Sequence, residues 1–218
     1  MIIFPHSRPQ LRNALGFLTG KTPGLSAPFI APVLHTERLV LRPYLKSDEA
    51  DWLNIEHDET VQSGLGWPHR SDHEARMHLH DRTLHTSLQY PGDFLVLAME
   101  HENHVIGDVS LHLRTIAPET RMVEIGWLQL ARAGGAGYAT EAAAALLTVA
   151  FRDLNSMVVT AVTRQANLSS SRLAKRLGFS FAGSTSEYLT FLLTAAQWRE
   201  FYETSHRNND DSIWDTSQ

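Results

Sequence analysis

Residues 132–153 read RAGGAGYATEAAAALLTVAFRD, and the fold turns on this stretch. It opens on small residues, Ala133, Gly134, Gly135, Ala136 and Gly137. It then carries Ala139, Ala142, Ala143, Leu146, Leu147, Ala150 and Phe151 at helical spacing, with no break before Asn155. The residues just before it, 122–130 (MVEIGWLQL), read as a strand. Strand, glycine loop and helix start, in that order, cradle a phosphate. Glycines let backbone N–H groups turn inward, and the unpaired donors and dipole of the first helical turn favour an anion. Arg132 adds a fixed positive charge at the mouth. A Walker loop needs Lys and Ser or Thr after its last glycine, where Tyr138 and Ala139 stand; a dinucleotide fingerprint needs Gly or Ala where Thr140 stands. Neither spelling fits.

The totals set the frame. A chain of 218 residues suffices for one well-buried domain of about 150–180 residues plus tails. Composition is that of an ordinary globular protein, 43% hydrophobic and 20% charged. With no cysteine there is no disulfide framework, thiol nucleophile or zinc–thiolate site. A net charge of −5 without a long basic run argues against nucleic-acid binding and suits a cationic acceptor such as an amine. The longest apolar run, residues 142–151, is about half the ~20 residues that a membrane span needs. Pro5, His6, Arg8, Pro9 and Arg12 interrupt the apolar start and make a poor secretory signal. The expected location is cytoplasmic, with no membrane partner.

Along the chain, residues 1–33 read as an arm and linker. Leu11, Leu15 and Leu18 fall on one side of a short helix over residues 10–18, before Pro23, Gly24 and Pro28. The domain is expected over residues 34–204, followed by a polar, disordered tail over 205–218. Residues 37–42 alternate charged and apolar, as in a strand with one wet face. Ser47 is expected to cap a helix through Glu56; residues 58–69, with Gly64, Gly66 and Pro68, read as irregular. A second helix is expected from Asp72 to Tyr90, with Ala75, Leu79, Leu84 and Leu88 inward. His69 and His73 are four apart and could share a metal, but His73, His78 and His80 spread round the helix, so a polar face without metal is expected.

Residues 94–100 and 105–114 read as a hairpin turning at 101–104, with Asp108, Ser110 and His112 on one face of its second strand. In the strand 122–130, Glu124, Gly126, Leu128 and Leu130 lie opposite Val123, Ile125, Trp127 and Gln129. After the long helix come a strand at 157–162, a helix at 168–177 capped by Asn167, strands at 179–182 and 188–193, and a last helix at 194–202. This order gives a mixed α/β sheet in one domain.

The string Arg132-x-x-Gly135-x-Gly137, with Tyr138-Ala139-Thr140-Glu141-Ala142 after it, resembles the acetyl-CoA loop of the GNAT N-acetyltransferase superfamily. The longer string EIGW…GYATEA resembles its ribosomal-protein branch, the RimJ/RimL type. The opening LHTERLVLRPYLKSDEADW and the later Asn167…Ser170…Arg176…Gly178-Phe179 are similar to two further family elements, so the resemblance covers roughly residues 34–200. It implies a mixed α/β (α+β) fold: a single GNAT-like domain whose mostly antiparallel, twisted sheet has a V-shaped split and helices on both faces. It further implies that pantetheine pairs with backbone around Leu128, Gln129 and Leu130. The pyrophosphate would sit on Gly135, Ala136, Gly137, Tyr138, Ala139 and Thr140, with Arg132 beside it. Asn167 would meet pantetheine, Ser170 would face the thioester sulfur, and Lys175 or Arg176 would reach the nucleotide phosphate.

The implied reaction is direct attack of an amine on acetyl-CoA. An amine is mostly protonated at pH 7, so a base is needed. Glu124 is the first candidate and His112 the second, with a backbone N–H near Leu128 for the oxyanion. Many family members carry a tyrosine where Ala174 stands, which leaves Ser170 as the group near the departing sulfur. The acceptor, a peptide N-terminus or a small-molecule amine, would enter past Trp67, His69, Glu187 and Tyr188. The protein is expected to be a monomer or homodimer. Two other readings use the same loop: a non-catalytic acyl-CoA sensor or regulatory module, and a nucleotide-binding regulator.

Overall fold

Apolar strands between residues 94 and 129, buried on both faces, build the centre of the sheet. β5 (Phe94–His101), β6 (His104–Thr115) and β7 (Met122–Gln129) are successive antiparallel neighbours. The β5–β6 turn is tighter than expected: His101 pairs with His104, leaving Glu102 and Asn103 at φ 50° and 65°, the left-handed values of a two-residue hairpin turn. The structure, a computed structural model, describes the backbone of residues 23–210 and the side chains through Tyr202. The helix expected over residues 10–18 and most of the expected tail lie outside the described residues.

The remaining elements are β1 (Phe29–Ile30), β2 (Leu34–His35), β3 (Val40–Arg42), α1 (Glu49–Glu56), α2 (Glu59–Leu65), α3 (Asp72–Leu84), β4 (Ser87–Leu88), α4 (Tyr138–Thr148), β8 (Val158–Arg164), α5 (Leu168–Arg176), β9 (Ser180–Ser184), β10 (Tyr188–Thr194) and α6 (Ala195–Asp210). The eight-stranded sheet runs β2-β3-β5-β6-β7-β8-β10-β9. Every neighbouring pair is antiparallel except β7–β8, which the α4 crossover makes parallel. That parallel pairing stops after Met122↔Val158, Val123↔Val159 and Glu124↔Thr160. Beyond it β7 and β8 have no pairing, so the expected split starts just past Glu124.

Strand alternation sends the two faces to different helices. Leu97, Val109, Leu111, Val123, Ile125 and Trp127 pack against Ala142, Ala143, Leu146 and Leu147 of α4, with α5 and α6 on the same side. Val96, Ala98, Val105, Leu128 and Leu130 pack against Trp52, Ile55, Val61, Leu65 and Leu79 of α1, α2 and α3. Each fully buried Leu or Ile here contributes about 1.5–3 kcal/mol.

Several boundaries differ from the expectations. Residues 59–65 are helical rather than irregular, because Asp58 accepts the Val61 N–H and Gly66 ends the turn at φ 61°. Asp48, not Ser47, stands at the N-cap of α1, and Ser47 lies in a 3₁₀ turn (Lys46–Asp48). α3 stops at Leu84, which is exposed, since a separate two-stranded sheet takes the next residues: Ala31 N–H bonds Thr86 O, and β1 pairs with β4. That pairing brings Leu25, Phe29 and Ala31, expected in a loose arm, onto the core. The long helix closes on a π turn (Val149–Asp153), and α6 runs past Tyr202 to Asp210.

Candidate active site

Glu124 sits where β7 and β8 part, directly across from His112 on β6. Its carboxylate is largely buried and lies 3.0 Å from Arg114 Nη2. Burial pushes the Glu124 carboxyl above its ordinary value, and Arg114 opposes that only in part. A carboxylate shifted upward toward neutrality is a better proton acceptor for an amine. Arg114 stands where the β6–β7 register shifts between Leu113 and Thr115, so simple alternation in the sequence does not assign its side.

His112 is buried, and its ring stacks on Phe94, which stacks in turn on His85. Burial holds the His112 imidazole well below its ordinary value, and Arg114, Arg82 and His85 push the same way. It is neutral at pH 7. Asp108, two strand pairs along the same face, accepts from Arg82 Nη1 at 2.7 Å and from Tyr44 Oη at 3.0 Å. Burial raises its carboxyl, opposed by Arg82 and Tyr44. Asp108 is therefore engaged structurally and leaves Glu124 as the carboxylate at the split. Between Asp108 and His112, the buried Ser110 Oγ has no hydrogen-bond partner among the described residues.

The glycine loop follows β7 through a 3₁₀ turn (Ala131–Ala133) that holds the exposed Arg132. Gly135 and Gly137 have φ 83° and 86°, a conformation that glycine adopts without strain. A side chain on Gly135 would meet nothing within 4 Å, and one on Gly137 only Arg38 Nη2 at 3.5 Å. The space above the loop is open. The first α4 bond is Glu141 N–H to Gly137 O, so the N–H groups of Tyr138, Ala139 and Thr140 are the free donors of an N-terminus. Ala136 O is taken by Arg38 Nη1 at 2.8 Å. Arg38 also donates through Nε to Glu141, which accepts from the Arg38 N–H and from Thr36 Oγ1 as well. This clamp ties the opening hairpin to the loop. Its residues lie inside the quoted motifs, but only the fold joins them. Asp58, besides capping α2, accepts from the Ala131 N–H at 3.3 Å.

Not all of the expected backbone contacts face the split. Leu130 N–H donates to Ile106 O on β6, its carbonyl accepts from Ala133 N–H, and Leu128 O lies against Gly107 of β6. Strand alternation then turns the N–H and C=O of Gln129 and Trp127 toward the split, in place of those of Leu128 and Leu130.

The second motif converges on the first. Arg176 Nη1 donates to Thr140 Oγ1 at 3.0 Å. Asn167 caps α5, its Oδ1 accepting from Ser170 N–H and Ser169 Oγ, so its amide NH₂ is the end left for a ligand. Ser170 Oγ accepts from Trp127 Nε1 at 3.2 Å. Ala174 is buried in the core.

Of the acceptor-side candidates, Trp67 packs edge-on to His78 and carries Arg70 over its ring at 4.9 Å. Glu187 O accepts from Gln165 N–H, and Tyr188 pairs with Arg164. The Arg164 guanidinium lies 2.5 Å from where a Gly66 Cβ would be, so the loop bearing Trp67 meets the end of β8. His69 is exposed and bonds Arg70 O. Among the described residues no three His, Asp or Glu side chains converge on a metal-sized site, and no helix is long and apolar enough to cross a membrane.

The sequence pattern of the acetyltransferase (GNAT) domain matches residues 38–180. The chain belongs to the GNAT acetyltransferases. A GNAT-family acetyltransferase from Bacillus anthracis superposes with a TM-score of 0.65 at 18% identity, covering 76% of this chain and 99% of that one. An acetyltransferase from Agrobacterium tumefaciens reaches 26% identity and a TM-score of 0.58, covering 76% and 95%. RimL, a ribosomal L7/L12 α-N-protein acetyltransferase whose structure holds coenzyme A, matches at 20% identity and a TM-score of 0.60, covering 76% and 98%. The GNAT chain therefore has the fold its motifs implied, and acetyl transfer from acetyl-CoA is the chemistry of its family.

Proposed function

We propose that this GNAT chain is an N-acetyltransferase of the RimJ/RimL type that moves the acetyl group of acetyl-CoA to a primary amine. The observation that carries this reading is Glu124, a buried carboxylate of raised pKa at the apex of the split. Pantetheine lies in the split against the Gln129 backbone and the Asn167 amide. The pyrophosphate rests on residues 135–140, with Arg132 and Arg176 beside it. The amine attacks the thioester carbonyl, and Glu124 takes its proton directly or through one water. A backbone N–H that β7 turns to the split, from Trp127 or Gln129, steadies the oxyanion. His112, neutral and stacked, shapes the wall beside Glu124 and is the less suited base. The acceptor enters between Trp67 and Tyr188, with His69 and Glu187 at the rim. A protein N-terminus, the acceptor class of RimL, and a small-molecule amine both fit that entry. A cytoplasmic enzyme, monomeric or dimeric, suits the reading.

The test is thiol release from acetyl-CoA with a panel of peptide and small-molecule amines. Glu124→Gln is expected to lower kcat by a factor on the order of 10²–10⁴ while leaving acetyl-CoA affinity within a few-fold. Full activity in Glu124→Gln would remove Glu124 as the base. Absence of turnover with every amine would remove the N-acetyltransferase reading.

A further inference from the structure

The Ser170 hydroxyl breaks the habit of its helix. A serine in the first turn of a helix commonly donates its proton back to a main-chain carbonyl, and the next residue does so: Ser171 Oγ donates to Asn167 O at 3.2 Å. Ser170 Oγ instead accepts a hydrogen bond, from Trp127 Nε1. The indole N–H is a donor only, whereas a hydroxyl has one donor and two acceptor positions. The bond therefore runs one way and leaves the Ser170 proton uncommitted; Ser170 Oγ donates to no group among the described residues. Both side chains are buried, Trp127 5% and Ser170 4% exposed, so bulk water does not compete for the bond.

The bond also spans the split. Trp127 lies on β7 beyond Glu124↔Thr160, the last pair joining β7 to β8, whereas Ser170 stands in the first turn of α5, which follows β8 in the chain. The Ser170 backbone is fixed separately, its N–H bonded to Asn167 Oδ1 at 3.0 Å. Main chain and hydroxyl oxygen are thus both held, and only the proton remains to be directed.

We propose that Trp127 is a positioning residue that makes the Ser170 hydroxyl a one-way hydrogen-bond donor to the sulfur leaving acetyl-CoA. The proposal rests on the acetyl-CoA reading above. In the step itself the amine nitrogen forms the C–N bond, the C–S bond breaks, and its electron pair goes to sulfur. The amine proton ends on Glu124, and the Ser170 proton stays on its oxygen, donated to the thiolate as a hydrogen bond. Coenzyme A leaves as the thiolate and takes a proton from solvent afterwards. The indole touches no reacting atom.

The experiment uses the full chain and its best amine, with wild-type turnover established first; no turnover there would overturn the transferase reading and this proposal with it. Trp127→Phe keeps an aromatic ring and removes the N–H. Its kcat is expected to fall roughly tenfold, less than the hundredfold or more lost with a direct oxyanion donor, with KM for acetyl-CoA within about twofold. Ser170→Ala is expected to lose at least as much, and the double variant no more than Ser170→Ala alone. Acetyl-selenocoenzyme A, whose selenolate leaves without help, is expected to restore both single variants to within about twofold of wild type. Where phenylalanine compromises folding, benzothienylalanine at position 127 keeps both rings and lacks the N–H. Wild-type kcat in the Trp127 variant would overturn the proposal. So would losses that add in the double variant or persist with the selenoester, since those mark a packing role only.

Discussion

A buried carboxylate gains basicity from burial, and a nearby cation favours its ionised form. At Glu124 that cation is Arg114, 3.0 Å away. The sign of its removal follows directly. Burial raises the Glu124 pKa and Arg114 lowers it, so Arg114→Met lets burial act unopposed. The acid limb of the kcat/KM profile is then expected to move to higher pH, with the plateau rate changed less. A pH–rate profile of the variant checks this; an unmoved limb would mean that another group titrates there. Of this residue-scale chemistry, the sequence named Glu124 and His112 as candidates on two separate strands, because strand alternation assigns faces within a strand; the register that sets them opposite each other is tertiary. The sequence did not show Arg114, whose side depends on an irregularity in register.

In the proposed function, the glycine loop is the element on which cofactor binding depends. Gly137 sits at φ 86° at the head of α4, where an L side chain costs about 1–2 kcal/mol. A Cβ there would touch only Arg38 but would enter the open space above the loop. Gly137→Ala is expected to lower Tm by roughly 2–8 °C for a domain of this size and to raise KM for acetyl-CoA on the order of tenfold, with kcat little changed. Gly92 supplies the control: it has φ 98° with nothing within 4 Å, and lies in the β4–β5 turn. Gly92→Ala is expected to match the stability loss and leave KM alone. Equal KM effects in both variants would place the phosphate elsewhere. This element was readable because glycines before an uninterrupted apolar helix constrain local geometry strongly. α2 is masked in the sequence, although Asp58 and Gly66 carry its cap signals, because Gly64, Gly66 and Pro68 read as punctuation.

At the scale of the whole molecule, the polar groups under α3 set the response to acid. His78, His85 and His112 are each held below the ordinary histidine value, chiefly by burial, His78 at about 4. The unfolded chain takes up these protons first as pH falls. Their stabilising effect is complete above pH ~6.5 and is lost as pH drops through that value toward the folded pKa. For His78 alone the interval corresponds to about 3 kcal/mol. Asp108 and Glu124, raised by burial, work in the opposite sense and offset part of this loss in the carboxylate range. Tm is expected to fall steadily from pH 7 to pH 5, and His78→Gln to make that slope shallower. A flat Tm over that range would show that these imidazoles protonate without unfolding cost.

The sequence by itself determined the mixed sheet and the glycine loop ahead of a long helix, because each rests on short-range patterns of alternation, helical spacing and turn chemistry, and its motif spellings pointed to the family. Tertiary structure alone decided which polar groups meet. Arg38 reaches Glu141, Arg82 reaches Asp108, Arg176 reaches Thr140 and Trp127 reaches Ser170 across 26 to 103 residues of chain. It also decided that Gln129, rather than its two neighbours, turns its backbone to the split, since that depends on which carbonyls β6 has already taken. Side-chain type and period are written locally; partnership is set by packing, burial and register between strands distant in sequence.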